Sequence, residues 1–290
     1  EKGTLNKRRS NQLERLGIYI VESQALSSIP KVVQNIMSVA ASPDSSSKDL
    51  AYVVGSYPEL RDRLMEVVRS SLFNLPGETR SIQDAVRMLG FRQICNIAIT
   101  LAAGNLFGSE MEELPISRGF WHHSLACANV SEMIAGQVEH PTPNPYVAGL
   151  LHDLGKLVLL YTFRSEYQRL KESLRSSDAM VNAMERHLVG MPHDDVNRLL
   201  AKKLRFDEEL ARPLCEHHTV EKPPDAVTAV VHIADVICHD MLLVFPRGGS
   251  RPKINEKALK LIGLSSGAMT DLQTRAHEAV DRVDMWAALL

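Results

Sequence analysis

The run Val147-Ala-Gly-Leu-Leu-His-Asp-Leu-Gly-Lys-Leu-Val-Leu-Leu160 sets two polar, metal-competent side chains, His152 and Asp153, inside a segment whose composition demands burial. A carboxylate taken out of water without a partner is strongly destabilising. Asp153 therefore requires a cation, a hydrogen-bond network or a metal, and the rest of the chain supplies candidates for all three.

Outward from that run, apolar residues recur at helical spacing and no alternating strand pattern appears, so an all-α fold is expected. Ile29, Val32, Val33, Ile36, Met37 and Ala40 mark an amphipathic helix opening at Pro30 and stopping at Ser42-Pro-Asp-Ser45. Ser46-x-x-Asp49 and Ser81-x-x-Asp84 have the form of capping boxes, and Pro58 starts a helix through Leu60, Leu64, Val67 and Val68. A loop is expected at Asn74-Leu-Pro-Gly77, Gly90 ends one helix, and another runs from about Phe91 to Leu106. This predicts a helical bundle over 24–107, preceded by a leader helix or linker over 1–23.

Gly108 to Gly119, with Pro115, reads as a linker into a second helical body over 108–245. That body holds Phe120–Gln137, the loop 139–145, the His-Asp helix, and helices near 165–190, 193–205, 207–219 and 225–243. In the last segment, 246–290, Phe245-Pro-Arg-Gly-Gly-Ser-Arg-Pro252 reads as a flexible loop. Leu272, Ala276, Ala279, Val280, Val283 and Trp286 then form an amphipathic helix that needs a docking surface.

At 290 residues and a formal charge of −2, the chain gives no electrostatic case for binding nucleic acid or an anionic membrane. No apolar stretch has the length of a membrane span, so a cytoplasmic protein is expected. Glu1 rather than Met opens the sequence, which fits a piece of a longer protein with an upstream domain. Cys95, Cys127, Cys215 and Cys238 form no CxxC pair and read as buried free thiols. Asp84–Ile97 has the outline of a helix-turn-helix, but Arg87 and Arg92 alone make no phosphate-binding face, and ordinary helix contact is expected there.

Eleven histidines are present, and several sit on apolar faces. His123 shares a face with Cys127, Val130 and Ile134; His193 precedes Val196, Leu199, Leu200 and Leu204; His217 lines up with Leu210 and Leu214, with His218 one step round. Asp235 lies in Val227–Ile237, which is apolar on nearly every side. With His152 and Asp153 these make seven polar groups on faces expected to be buried. One imidazole buried alone reads as an ordinary core histidine; seven such groups are best explained by a shared metal centre. Five imidazoles and two carboxylates favour iron or manganese, with zinc also compatible, and argue against calcium. Two ions bridged by Asp153 would use the whole set. Lys156 either steers an anionic phosphate towards the metals or complements a helix dipole. His232 is a candidate for donating to Asp235. His122, His140, His187 and His277 fall off the inward faces.

The chain resembles the HDOD (HD-related output domain) family, a bacterial branch of the HD metal-dependent phosphohydrolase superfamily. The matching residues are Leu26-Ser-Ser-Ile-Pro30, Asn74-Leu-Pro76, Ser81-Ile-Gln-Asp-Ala-Val-Arg-Met-Leu-Gly90, Trp121-His-His-Ser124, Ala148-Gly-Leu-Leu-His-Asp-Leu-Gly-Lys156, His193, His217-His218 and Ile233-Ala-Asp235. The resemblance implies an N-terminal helical bundle packed against an HD-like helical domain. It also implies a signal-transduction output module that works through other signalling proteins, such as a fused receiver domain. His123, His152, Asp153, His193, His217, His218 and Asp235 match dimetal-ligand positions of the related HD-GYP phosphodiesterases. After His217-His218, however, the chain reads Thr-Val-Glu-Lys-Pro-Pro-Asp225 and lacks the Gly-Tyr-Pro element. The leading expectation is a regulatory module with a buried, dinuclear divalent-metal centre, able to form a homodimer. The alternative is a metal-dependent phosphohydrolase or phosphodiesterase acting on a phosphorylated small molecule or nucleotide, with Asp153 and Lys156 in catalytic roles.

Overall fold

A computed structural model describes residues 2–22, 25–73, 75, 79–104, 117–139, 142–174, 180–219, 225–241, 243–246, 248–250, 252–265, 267–281, 283 and 287. Among the described residues all regular structure is helical, and no helix is long and apolar enough to cross a membrane. The expected loop at 74–77, the linker at 108–119, His140 and Trp286 fall wholly or mostly outside them, as does most of the segment 219–225 that replaces the Gly-Tyr-Pro element.

The chain divides into two compact units, 24–115 with 284–290, and 1–23 with 116–283. The first contains α2 (Ala25–Ala41), α3 (Ser47–Gly55), α4 (Pro58–Arg69), α5 (Ile82–Leu89) and α6 (Phe91–Gly104). Both capping boxes form: the Ser46 and Ser81 hydroxyls accept from backbone N–H groups of the first turn, and Asp49 and Asp84 reach back to the cap backbone. Such reciprocal bonds satisfy helix-end donors that water would otherwise have to satisfy. Gly90 takes φ +90°, which an L side chain rarely adopts, and so ends α5 where the sequence marks a break. α2 and α6 meet along Val33, Ile36, Ile94, Ile97 and Ala98, all at most 1 % exposed. α2 begins at Ala25, not at Pro30, so the proline lies in its second turn.

The second unit contains α1 (Lys2–Glu22), α7 (Ser117–Ala135), α8 (Pro145–Leu151), α9 (Leu154–Thr162), α10 (Arg164–Leu174), α11 (Val181–Leu188), α12 (His193–Leu204), α13 (Glu208–Glu216), α14 (Ala226–Asp240), α15 (Glu256–Leu261) and α16 (Ala268–Val280). The leader α1 belongs to this unit. Leu16 and Ile20 are buried, Arg15 donates to the Thr162 carbonyl at 2.8 Å, and its guanidinium lies 4.9 Å from the Phe163 ring centroid. α14 is buried on every side from Val227 to His239, and α9 from Leu154 to Leu160, as expected of helices enclosed by others. α7 packs against both α8 and α14, and α9 packs against α12. The tail helix α16 docks on α7 through the buried residues Leu272 and Ala276. Each fully buried aliphatic side chain contributes about 1.5–3 kcal/mol relative to exposure, so this apolar enclosure is what holds the polar centre in place. The helix expected near 165–190 is two helices, and Leu199, placed on the inward stripe from sequence, is 42 % exposed.

Candidate metal centre

The apolar run is helical on both sides of the His-Asp pair but not through it. α8 ends at Leu151 and α9 begins at Leu154; His152 keeps helical angles while Asp153 turns to φ −101°, ψ 12°. The break is tied by Asn197 of α12, itself buried: its Oδ1 accepts from Gly155 N at 2.7 Å, and its Nδ2 donates to the carbonyls of His152 and of Leu214, the latter at 2.7 Å. Gly155 is required here because a Cβ would collide with the His193 carbonyl oxygen. One asparagine thus fastens the His-Asp turn, α9 and α13 together.

The structure brings all seven sequence-predicted donors into one cluster. His123, His152, Asp153, His193 and His217 are fully buried, Asp235 is 1 % exposed, and the His218 side chain is 12 % exposed. They fall into two groups, each with donor atoms within 4.8 Å of one another: His123, Cys127, His152 and Asp235, and Asp153, His193, His217 and His218. Asp153 stands between them. Its Oδ2 lies 3.2 Å from His123 Nε2 and 3.4 Å from His152 Nε2, and its Oδ1 lies 3.4 Å from His193 Nε2 and 3.7 Å from His217 Nε2. Asp235 Oδ1 lies 3.4 Å from His123 Nε2 and 3.8 Å from His152 Nε2.

The outer sides of the rings fix which atoms face inward. Nδ1 of His123 lies 2.6 Å from the Leu243 carbonyl, Nδ1 of His152 2.7 Å from the Gly149 carbonyl, and Nδ1 of His217 3.0 Å from the Pro213 carbonyl. A carbonyl only accepts, so each Nδ1 carries the proton and Nε2 is left for the centre. His193 is held differently: Glu185 Oε2 accepts from its Nδ1 at 2.6 Å and from its backbone N at 2.8 Å, while Tyr167 donates to Glu185 Oε1 at 3.1 Å. His152 Nε2, His217 Nε2, Asp153 Oδ1 and Asp235 Oδ1 are buried and make no hydrogen bond among the described residues. Four orphaned polar atoms converging in an apolar interior are costly unless a cation completes them. The residues present therefore fit one or two divalent ions, with the imidazole and carboxylate donors that iron, manganese and zinc take.

Electrostatics point the same way. Burial alone would push the imidazoles of His123 and His152 down, but Asp153 and Asp235 more than offset it, and His123 rises to about 10. Burial likewise opposes protonation of His193, yet Glu185 and Asp194 raise it to about 10. Burial would raise both central carboxylates, but their neighbours hold them well below the usual range. For Asp153 those neighbours are His152 and Lys156. For Asp235 they are His239, whose Nε2 lies 3.6 Å from Asp235 Oδ1 one turn along α14, and His123. The carboxylates thus draw protons to His123, His152 and His193 when no other cation is supplied, whereas burial and the neighbouring His217 push His218 well down.

Several outer residues differ from the sequence reading. Lys156, read from sequence as a phosphate-steering or helix-end cation, is 2 % exposed, and its Nζ donates to Asp153 Oδ2 at 2.6 Å and to the Phe245 carbonyl at 3.2 Å. His232 does not donate to Asp235; its Nδ1 donates to the His217 carbonyl at 2.8 Å, and its Nε2 accepts from Asn255 N at 3.1 Å. Phe245, placed in a flexible loop from its Gly- and Pro-rich surroundings, is 5 % exposed and meets the Phe120 ring edge-on at 5.8 Å. The donor set read from sequence contains no sulfur, whereas Cys127 Sγ lies 3.7 Å from both ring nitrogens of His123. All four cysteines are buried and free. His187 and His277 are exposed. Glu185, Asn197 and Asp194 escaped the sequence reading. Only Asp194 carries a signal that could have found it, since His193-Asp194 repeats the dipeptide His152-Asp153.

Comparison with known proteins agrees with this architecture. Superposition on a protein from Marinobacter aquaeolei VT8, named for signal transduction, gives a TM-score of 0.78 at 20 % identity, covering 97 % of this chain and 66 % of that one. An HDOD domain protein of unknown function from Geobacter sulfurreducens gives 0.72 at 24 % identity, covering 96 % and 98 %. A protein from Shewanella amazonensis SB2B, named as a phosphohydrolase, gives 0.65 at 19 % identity, covering 92 % and 99 %. At these identities the likeness establishes the fold. An uncharacterized protein of Treponema pallidum (strain Nichols) is 20 % identical over 203 residues, and the chain spans 38 % of its length. The HDOD domain model matches residues 26–220, most of the chain, and this protein belongs to the HDOD domain family.

Proposed function

We propose that this chain is a regulatory output module in which a buried divalent-metal centre, with room for two ions, sets the conformation presented to signalling partners. The observation that carries this reading is the enclosure of the donors: six of the seven are at most 1 % exposed, while four of their polar atoms lack hydrogen bonds among the described residues. A cation completes such a site. Lys156, the group expected to receive a phosphate, is already committed to Asp153 and the Phe245 carbonyl. Iron and manganese suit the imidazole and carboxylate donors, and zinc is compatible. A receiver domain or another signalling protein is the proposed partner.

The test is metal analysis of purified protein together with thermal unfolding. At a free-metal concentration about a hundred times Kd, the protein gains about 2.7 kcal/mol, which chelator removes. Less than about half an equivalent of bound transition metal, with no stabilisation on adding iron, manganese or zinc, overturns the reading. Hydrolysis of a phosphodiester by the loaded protein, lost in Asp153→Ala, would replace it with the phosphohydrolase reading.

A further inference from the structure

Asp194 follows His193 in the first turn of α12, and its neighbour Asp195 supplies an internal control. Asp195 turns outward, 39 % exposed, and pairs with Arg198 at 2.9 Å. Asp194 turns inward: its side chain is 14 % exposed, and its Oδ1 is buried, makes no hydrogen bond among the described residues and lies 3.0 Å from His193 Nε2. A favourable place near a helix N-terminus accounts for either acid but not for their opposite orientations. His218 Nε2 lies 3.1 Å from the same nitrogen. Donors bound at about 2.1 Å to adjacent positions of a six-coordinate ion are about 3.0 Å apart, so both separations suit shared coordination. His217 Nε2 and Asp153 Oδ1, fully buried and without a hydrogen bond among the described residues, belong to the same group.

We propose that Asp194 is an additional ligand of the ion held by Asp153, His193, His217 and His218, occupying the position a water molecule would otherwise take. This rests on the metal-centre reading above and deepens it. With Asp194 the ion has five protein donors, so a six-coordinate ion keeps one position for water instead of two, which favours a sensor of metal supply over a hydrolase.

The experiment titrates metal-free protein with manganese(II), reading affinity by calorimetry and metal-bound water by proton relaxation. Asp194→Asn, which keeps the shape and removes the charge, is expected to weaken one binding event at least about tenfold and to raise the relaxation enhancement as water enters. Asp195→Asn is expected to change neither. Asp194→Ser serves as the second variant if the first does not fold. Wild-type affinity and relaxation in both Asp194 variants would show an ion pair with His193 only, and would overturn the ligand role while leaving the centre intact. Failure of the wild-type protein itself to bind manganese, iron or zinc would overturn both readings together.

Discussion

Asn197→Ala isolates the tie that positions the His-Asp turn without touching a proposed ligand. The substitution strands one donor, Gly155 N, and two acceptors, the carbonyls of His152 and Leu214. Each buried group left without a partner costs about 1–3 kcal/mol. The carbonyls have second lone pairs, so the lower half of that range applies to each of them, and the total is about 3–7 kcal/mol. For a unit of this size, each kcal/mol moves Tm by about 2–4 °C, giving a fall of about 6–28 °C by calorimetry. Because the freed segments carry His152 and His217, divalent-metal affinity should also fall about 10–100-fold, the usual effect of removing a residue that orients ligands. A Tm within about 2 °C of wild type together with unchanged metal affinity would refute the argument that this asparagine organises the centre.

Three further outcomes follow from the same geometry. Gly155→Ala forces a Cβ against the His193 carbonyl, and should cost about 1–3 kcal/mol or more in denaturant unfolding while weakening metal binding. Lys156→Met removes one of the cations around Asp153 and should cost up to about 3–5 kcal/mol in metal-free protein, with a smaller loss when metal is present to replace the charge. The pH dependence has a definite sign: His123 and His193, raised to about 10 in the metal-free fold, stabilise it fully below their unfolded values and lose that contribution as pH rises towards 10. Metal-free Tm should therefore fall from neutral pH to pH 10. Loading at pH 8 should release protons, read as a dependence of calorimetric heat on the buffer's ionisation enthalpy; no dependence would contradict the protonated starting state.

The all-helical architecture and the convergence of His123, His152, Asp153, His193, His217, His218 and Asp235 were legible because each polar group interrupts an apolar face. Capping boxes at Ser46 and Ser81 were equally plain, since their partners lie three residues away. The break between α8 and α9 was not legible: leucine, valine and alanine flank His152 and Asp153 on both sides, and nothing local marks a turn. Glu185 and Asn197 look like surface residues in polar stretches, and only their tertiary neighbours make them buried. The anchoring of Phe245 and Leu243 relies on backbone carbonyls, which every residue carries and no side-chain pattern reveals.

Those two carbonyls also give the centre a birth order. The imidazole at position 123 is steered by an oxygen 120 residues downstream, and the lysine at 156 by one 89 residues downstream. During translation the chain must carry His123 and His152 through the exit tunnel long before their orienting atoms exist. A nascent polypeptide stopped short of Leu243 would hold the histidines without the brace that aims His123, so tight ion capture waits until Leu243 has been made.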